Sequence, residues 1–468
     1  MKYYIPFAIA FAMFMETLDS TILGTAIPRI ALSLQVSPIS LKIALTSYLL
    51  SLAIFIPISG WFADRFGTKK VFITALLVFT LGSLCCALAN TLVLLVLARI
   101  LQGFGGAMMM PVGRLILLKS FPKSELVRAT NFVTIPALLG PALGPVLGGI
   151  IVSYVSWRWI FFVNIPFGLL GSWFAYRVLS NHVAEHVNPL DFTGFVLVGS
   201  ALAGFAFSLG LLSEGAAEFG LVAKVFAASC GLLFIYFIRA RYISFPFINM
   251  SLFKVSTFRI TLIASFLSRC GIGGMPFLLP LFFQLSLGKS ALHSGLLLAP
   301  YALGMMLMKS MVRLGLKAFG FKRILLVNTV LLGVAMAMFA LVSDATSVVL
   351  ILALVFASGL LTSLQFSCMN VLTFSDLPHH LLSQGTSLAS ANQQLSMSFG
   401  IALAAISLKY FLGEHGNPFE IQLHVFHQTF LILGLMTGLS AMIFTLLDVD
   451  DGVEISGHES RAIFNLKK

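Results

Sequence analysis

Along the chain, apolar runs of roughly 18–25 residues alternate with short polar interruptions, the length a helix needs to cross a bilayer. A membrane β-barrel would instead read as alternating segments of about ten residues, which are not seen. The runs fall near 4–26, 41–62, 71–89, 92–114, 130–153 and 159–178, then 192–212 and 220–238. Six more follow near 258–285, 294–312, 323–342, 347–371, 385–408 and 426–447. The pattern predicts an all-α polytopic membrane protein with 14 transmembrane helices: two six-helix bundles plus two inserted linker helices. The expected divisions are 1–178 for the first bundle, 179–257 for the linker, 258–447 for the second bundle and 448–468 for a cytoplasmic tail. The middle pair of runs carries almost no polar residues and reads as lipid-facing.

One polar interruption stands out. Gly60 to Val71, GWFADRFGTKKV, must be a short water-exposed hairpin between two apolar runs. Gly60 and Gly67 permit tight turns, and the Asp64–Arg65 couple offers both signs of charge to neighbouring helix ends. A degraded copy follows about 250 residues later, where AFGFKRI (Ala318 to Ile324) aligns with RFGTKKV (Arg65 to Val71). Lys317 then stands opposite Asp64, and Arg313 opposite Gly60. A loop repeated at matching depth implies two related halves, which is a transporter architecture.

Composition agrees. The 468 residues are 59% hydrophobic and 10% charged, with a mean hydropathy of +1.00, far too apolar for a soluble domain. Met1–Lys2 leads almost directly into the first run, with no A-x-A-like cleavage site, so an uncleaved first helix is expected. The net charge of +12 would suit nucleic acid, but its placement argues against that partner. With the N-terminus cytoplasmic, 20 of the 29 Lys and Arg lie on that side and 6 on the other, the positive-inside asymmetry. The five cysteines all fall within apolar runs and read as buried free thiols, and the nine histidines lie in loops or at helix edges. No metal site, cofactor or clustered enzyme chemistry is expected.

Only two carboxylates, Glu16 and Asp19, fall inside the runs, three residues apart and so on one helical face. Such costly groups suit exchange of a proton for substrate or conformational change, against the plainer reading of a structural polar pair. The fourth run carries Arg99, Gln102, Gly103, Gly106 and Met110 down one face, and Arg99 is expected to pair with Asp19 or Glu16. The fifth holds GPALGPVLGG, in which Gly140, Gly144 and Gly148 make a flat strip continued by Gly149. Pro141 and Pro145 loosen that helix, as a hinge or seal between halves would require. In the second half Arg269 lies too deep to reach the surface, so a cavity, a partner or an anion is expected beside it. Gln365, Asn370, Asn392 and Gln393, with Gln102 and Met110, are candidate liners of a substrate cavity, with helix bridging the alternative.

Together these motifs resemble the major facilitator superfamily, specifically its fourteen-helix drug:proton antiporter branch of multidrug resistance protein D-type bacterial permeases. GWFADRFGTKK is similar to the loop between the second and third helices, and ARILQGFGGA (Ala98 to Ala107) to the fourth-helix motif whose arginine is associated with proton coupling. Gly140 to Gly149 resembles the antiporter motif, LDSTILGTAIP (Leu18 to Pro28) the first-helix signature, and WRWIFFVNIPFG (Trp157 to Gly168) the start of the sixth helix. Gly24 departs from the Asn usual in that signature, and the later-span acids that help some relatives take multiply charged cations are missing. The resemblance implies a monomeric exporter in the bacterial inner membrane, both termini cytoplasmic, with protons and an amphipathic small molecule as partners. It also implies proton coupling through Asp19, Glu16 and Arg99, and a cytoplasmic latch at Asp64 and Arg65. The rival expectations are export of an organic anion, motivated by Arg269, and a non-transporting membrane sensor.

Overall fold

In a computed structural model, the chain is described over residues 4–214, 219–378, 381–413 and 416–456, and the end of the expected tail lies outside them. Helices dominate it. The first part comprises α1 (Ile5–Leu34), α2 (Lys42–Phe55), α3 (Ser59–Phe66), α4 (Thr68–Leu88), α5 (Leu92–Ser120), α6 (Lys123–Tyr154), α7 (Trp159–Phe162) and α8 (Asn164–Val178). Two helices follow, α9 (Phe192–Glu214) and α10 (Phe219–Ala240). Then come α11 (Ser256–Leu281), α12 (Ala291–Met338), α13 (Val348–Leu372), α14 (Leu382–Leu412), α15 (Leu423–Leu439), α16 (Ala441–Phe444) and α17 (Val453–Ser456).

Among the described residues, 12 helical stretches are long and apolar enough to cross a membrane, two fewer than the 14 read from the sequence. The difference arises at two places. The expected fifth run lies in α6, a single helix over Lys123–Tyr154 of which Leu139–Tyr154 counts as an apolar helix among the described residues. The runs near 294–312 and 323–342 form one continuous stretch, Ala291–Leu341, because α12 passes through a kink rather than a loop. The kink sits at Gly320, with φ 71 and ψ 169. Gly67, at the aligned position of the first loop, has φ 95 and ψ 141 and separates α3 from α4. Side chains are strained at such angles and glycine is not. The repeat therefore survives as a matched backbone break, even where its charges have changed.

Helix packing brings α1 against α6, α4 against α5, α11 against α14 and α12 against α13. At the face where α1 ends, one apolar core joins both halves, from Ile22 to Ala31 of α1 through Phe277, Phe282 and Leu297 to Phe430. Gln284 donates to the Thr25 carbonyl at 3.0 Å, and Ser398 to the Thr46 carbonyl at 3.3 Å, across the same seam. At the face where α1 begins, the halves have separate cores, one around Phe72, Met109 and Ile116 and another around Phe321, Leu325 and Met369. The halves are thus closed on one face and divided on the other.

The middle pair, α9 and α10, is mostly exposed, with 17% and 11% of their apolar windows buried, as lipid-facing composition requires. Of the two, α9 touches α2 and α14, one helix from each half. Their base is fixed by Asp191, which accepts hydrogen bonds from the Gly194 amide at 2.8 Å, Arg239 at 2.6 Å and the Phe247 amide at 3.1 Å. Burial works to raise the proton affinity of this carboxyl, but the three donors overcome it and hold it below the usual carboxylate range. Cys85 and Cys230 prove exposed, correcting the expectation of five buried thiols, because each sits on the outward side of its apolar helix.

Asp191→Ala should remove about 1–3 kcal/mol by leaving buried donors unsatisfied, read as a lower unfolding temperature in detergent. Because the folded carboxyl is held low, this stabilisation is present above the ordinary carboxylate value and is lost as pH falls through the lowered one. The gap between wild type and variant should accordingly close in acid. A gap independent of pH would count against the assignment.

Candidate functional site

The apolar environment of the first half leaves its few polar side chains only one another as partners, and they converge on Asp19. Arg99 from α5 meets the carboxylate at 2.6 Å, both side chains having no exposed surface. Gln102, one turn further along α5, donates to the other carboxylate oxygen at 2.8 Å, and Asn164 from the start of α8 does the same at 2.8 Å. Ser83 of α4 receives Gln102 at 2.7 Å and Asn164 at 3.1 Å, and Gln102 in turn accepts from Arg99 at 2.7 Å. The Arg99 Nε donates to the Ala44 carbonyl at 3.3 Å, and its guanidinium lies 4.2 Å from the centre of the Tyr48 ring, a cation–π contact. The expected pairing of Arg99 with an acid of α1 is present, and the acid is Asp19.

Asn164 and Ser83 were not among the candidates. Asn164 was legible as a lone amide within WRWIFFVNIPFG, and Ser83 as a lone hydroxyl beside Gly82, in α4 against α5. Gly82 lets α5 come close, since a Cβ there would stand 2.7 Å from the Gln102 backbone. Gln102, expected to line a substrate cavity, is fully enclosed in this network and does not line one.

Glu16 is buried one turn earlier on α1, away from the network, and its Oε2 has no hydrogen-bond partner. Met110 is half-buried, its sulfur 3.6 Å from the Arg114 guanidinium. The glycine strip of α6 meshes with α1. A Cβ on Gly140, Gly144 or Gly148 would stand 2.2, 2.1 or 2.4 Å from the hydroxyl of Thr17, Thr21 or Thr25 respectively. The three threonines recur every four residues, as the glycines do, and this matching period was the unread signal in the sequence. Gly149 faces the other half, where a Cβ would be 2.5 Å from the Ala291 carbonyl. Pro141 and Pro145 lie inside α6, and a Cβ on Gly295 would meet the Pro145 carbonyl at 2.2 Å.

In the second half, Arg269 is buried and donates to Asn370 at 2.7 Å, with its guanidinium 4.8 Å from the Phe366 ring centre and its Nε unpartnered. Gln365 is wholly buried, accepting from Asn328 and donating to Thr329, so it clasps α12 to α13 rather than lining a cavity. Asn392 donates to the Leu262 carbonyl at 3.2 Å and, with Gly60 and Asp64, lines a cavity of about 470 Å³ between α2, α3, α9, α10 and α14. Gln393, its neighbour on α14, is half-buried and not among that cavity's walls. Asp64 lies 3.6 Å from Lys119 of the same half, and Arg65 is exposed. These two do not bridge the halves here.

Instead, the segment after α8 straps the loop. Asn181 accepts from the Lys69 amide at 3.2 Å, the His182 carbonyl from the Thr68 amide at 3.1 Å, and the Asp64 carbonyl from the Ala184 amide at 3.1 Å. The indole of Trp61 donates to the Asn188 carbonyl at 3.1 Å.

The family model for the Major Facilitator Superfamily matches residues 9–401. A putative multidrug resistance protein MdtD of Salmonella typhimurium (strain LT2) is 40% identical over 444 residues, which is 94% of each chain. The protein of the same description from Salmonella typhi is also 40% identical, with the same coverage. Among solved structures, a D-xylose-proton symporter superposes with a TM-score of 0.69 at 15% identity, covering 96% of this chain and 99% of its own. The nucleoside transporter NupG gives 0.67 at 14% identity, covering 95% of this chain and 100% of its own. At such identities the likeness is one of fold.

Gly144→Ala should impair transport by pushing α6 off α1, with expression and monodispersity retained. Adding Thr21→Ala removes the hydroxyl that clashes and should restore part of the loss. Strictly additive effects of the two changes would contradict the mesh described above.

Proposed function

Since this chain belongs to the Major Facilitator Superfamily, we propose that it is a proton-coupled secondary exporter of amphipathic small molecules, working by alternating access in a bacterial inner membrane. It is a membrane transporter and not an enzyme. Two sets of residues would then move against each other, 1–178 and 258–447, with 179–257 as the linker. Counting α6 as one crossing and α12 as two, divided at Gly320, gives fourteen crossings. An even number puts both ends on one side, and the excess of Lys and Arg there favours the cytoplasm. On that orientation the divided face is cytoplasmic and the joined face external, an inward-open arrangement. A monomer suffices for this cycle.

The observation that carries the reading is the buried Asp19–Arg99 pair at 2.6 Å. An intramembrane ion pair is costly to assemble and marks a working centre more often than a structural ornament. Its place on α1, meshed with α6 and touching α11 and α12 of the other half, suits a group whose charge state biases the two conformations. Multidrug resistance, the description borne by the Salmonella relatives, supports amphipathic cargo.

Arg269 favours a second reading, in which the cargo is an organic anion. It is a buried cation with no carboxylate partner among the described residues, and its Nε is unsatisfied. Competition between a labelled tricarboxylate and a lipophilic cation for transport separates the readings, since only the anion reading expects the tricarboxylate to compete.

In proteoliposomes, Asp19→Asn should lower transport driven by a pH gradient at least tenfold, with the protein still folded by size-exclusion profile. Unchanged transport in that variant would refute the proton assignment.

A further inference from the structure

Beneath the middle pair of helices lies a cavity that the transport reading does not use. Its volume is about 470 Å³, and its walls come from α2 and α3 of the first half, α14 of the second, α9, α10 and the segment after α8. That volume falls in the roughly 300–1,000 Å³ range of small-molecule sites. Gly60 leaves it room, since a Cβ there would meet nothing within 4 Å. Hydrogen bonds fix the outer wall. The Phe247 amide is held by Asp191 at 3.1 Å, and the Ile248 amide by the Tyr236 hydroxyl at 2.7 Å. Asn249 donates to Gln384 at 2.9 Å, joining the linker to α14 at the mouth.

The lining is graded with depth. Asp64, Asn188, Asn249 and Gln384 belong to helix ends and loops at the divided face. Leu202 and Leu395 stand about three turns inside α9 and α14, roughly 15 Å deeper at the helical rise. Among the described residues, Asp64 is the one carboxylate in the lining, and no lysine or arginine joins it. Its contact with Lys119 is long, at 3.6 Å, and both side chains are partly exposed, so that pairing commits the carboxylate weakly. Trp61, Phe237 and Phe247 add aromatic rings, which attract cations to their faces. An anion would face Asp64 with no opposite charge in the lining, an unfavourable juxtaposition. A phospholipid with two long acyl chains is too bulky for this volume.

We propose that this cavity under α9 and α10 is a binding site for a compact aromatic monocation, a quaternary ammonium on an apolar body. The charge sits at the mouth, beside Asp64 and Trp61, and the body lies against Leu202 and Leu233 of the hairpin. Asp19 and Arg99 take no part in it, and occupancy needs neither a proton nor a gradient.

Photolabelling tests this, with azidobenzyltrimethylammonium irradiated on the purified full chain in detergent, without a pH gradient, and adducts mapped by mass spectrometry. Adducts should fall within 198–237, on α9 and α10, and within 383–395, on α14. Leu202→Trp fills the apolar end and should weaken binding about tenfold, read as a smaller rise in unfolding temperature with probe. Leu233→Trp fills the same end from α10 and serves should the first variant fail to fold. Asp64→Asn should weaken the cation about tenfold and leave its uncharged carbon analogue unaffected. Adducts missing from both segments overturn the proposal, as does probe affinity unchanged in the folded filling variants. Tighter binding of the uncharged analogue overturns it too, and displacement by phosphatidylethanolamine at equal affinity would give the cavity to lipid instead. With no gradient applied, failure of the proton-coupled reading would leave each of these results unchanged.

Discussion

A carboxylate and a guanidinium, both stripped of water and 2.6 Å apart, set the terms for the first half of this protein. Neither charge is tolerable alone at that depth, so each surrounding helix must supply a polar group at the right height. Ser83 comes from α4, Gln102 from α5, Asn164 from α8 and the Ala44 carbonyl from α2. Five helices are thereby keyed in register by one pair. Apolar packing alone would leave them free to slide, because lipid solvates leucine as well as a neighbouring helix does.

The second half is held differently. Among the described residues it holds buried neutral contacts, such as Asn328 with Gln365 and Gln365 with Thr329, and a deep cation, Arg269, with an amide and an aromatic face for company. The two halves share a topology and a backbone break, at Gly67 and Gly320, yet titratable chemistry is concentrated in one of them. On the proposed proton-coupled reading, this asymmetry would separate the part that reads the proton gradient from the part free to read cargo. Communication between them then passes through the joined face, where Gln284 and Ser398 reach across the seam.

Much of this was legible in the sequence. Hydropathy located the helices because a lipid-spanning segment must satisfy its own backbone and carries apolar side chains throughout. The partner of Arg99 followed from scarcity, since only two acids were available at depth. Three-dimensional adjacency was not legible. Nothing local distinguishes Gln102, which serves Asp19, from Gln365, which clasps two helices, as both are amides in apolar runs. Whether Asp64 and Arg65 engage the other half depends on which face is open, and a sequence encodes every state of the cycle at once. The break at Gly320 was legible through the repeat of RFGTKKV in AFGFKRI, but not that the backbone there turns at one glycine without a separate loop.

The threonine and glycine ladder between α1 and α6 bears on electrical insulation. With threonine oxygens seated where glycine side chains would otherwise begin, the two helices meet closely at three successive turns, which disfavours a file of water molecules there. Protons hop readily along such files, and a membrane kept at a voltage would discharge through one. Small residues at this seam therefore act as a gasket as well as a bearing. They let the carrier change shape beside its most sensitive acids without short-circuiting the membrane in which it sits.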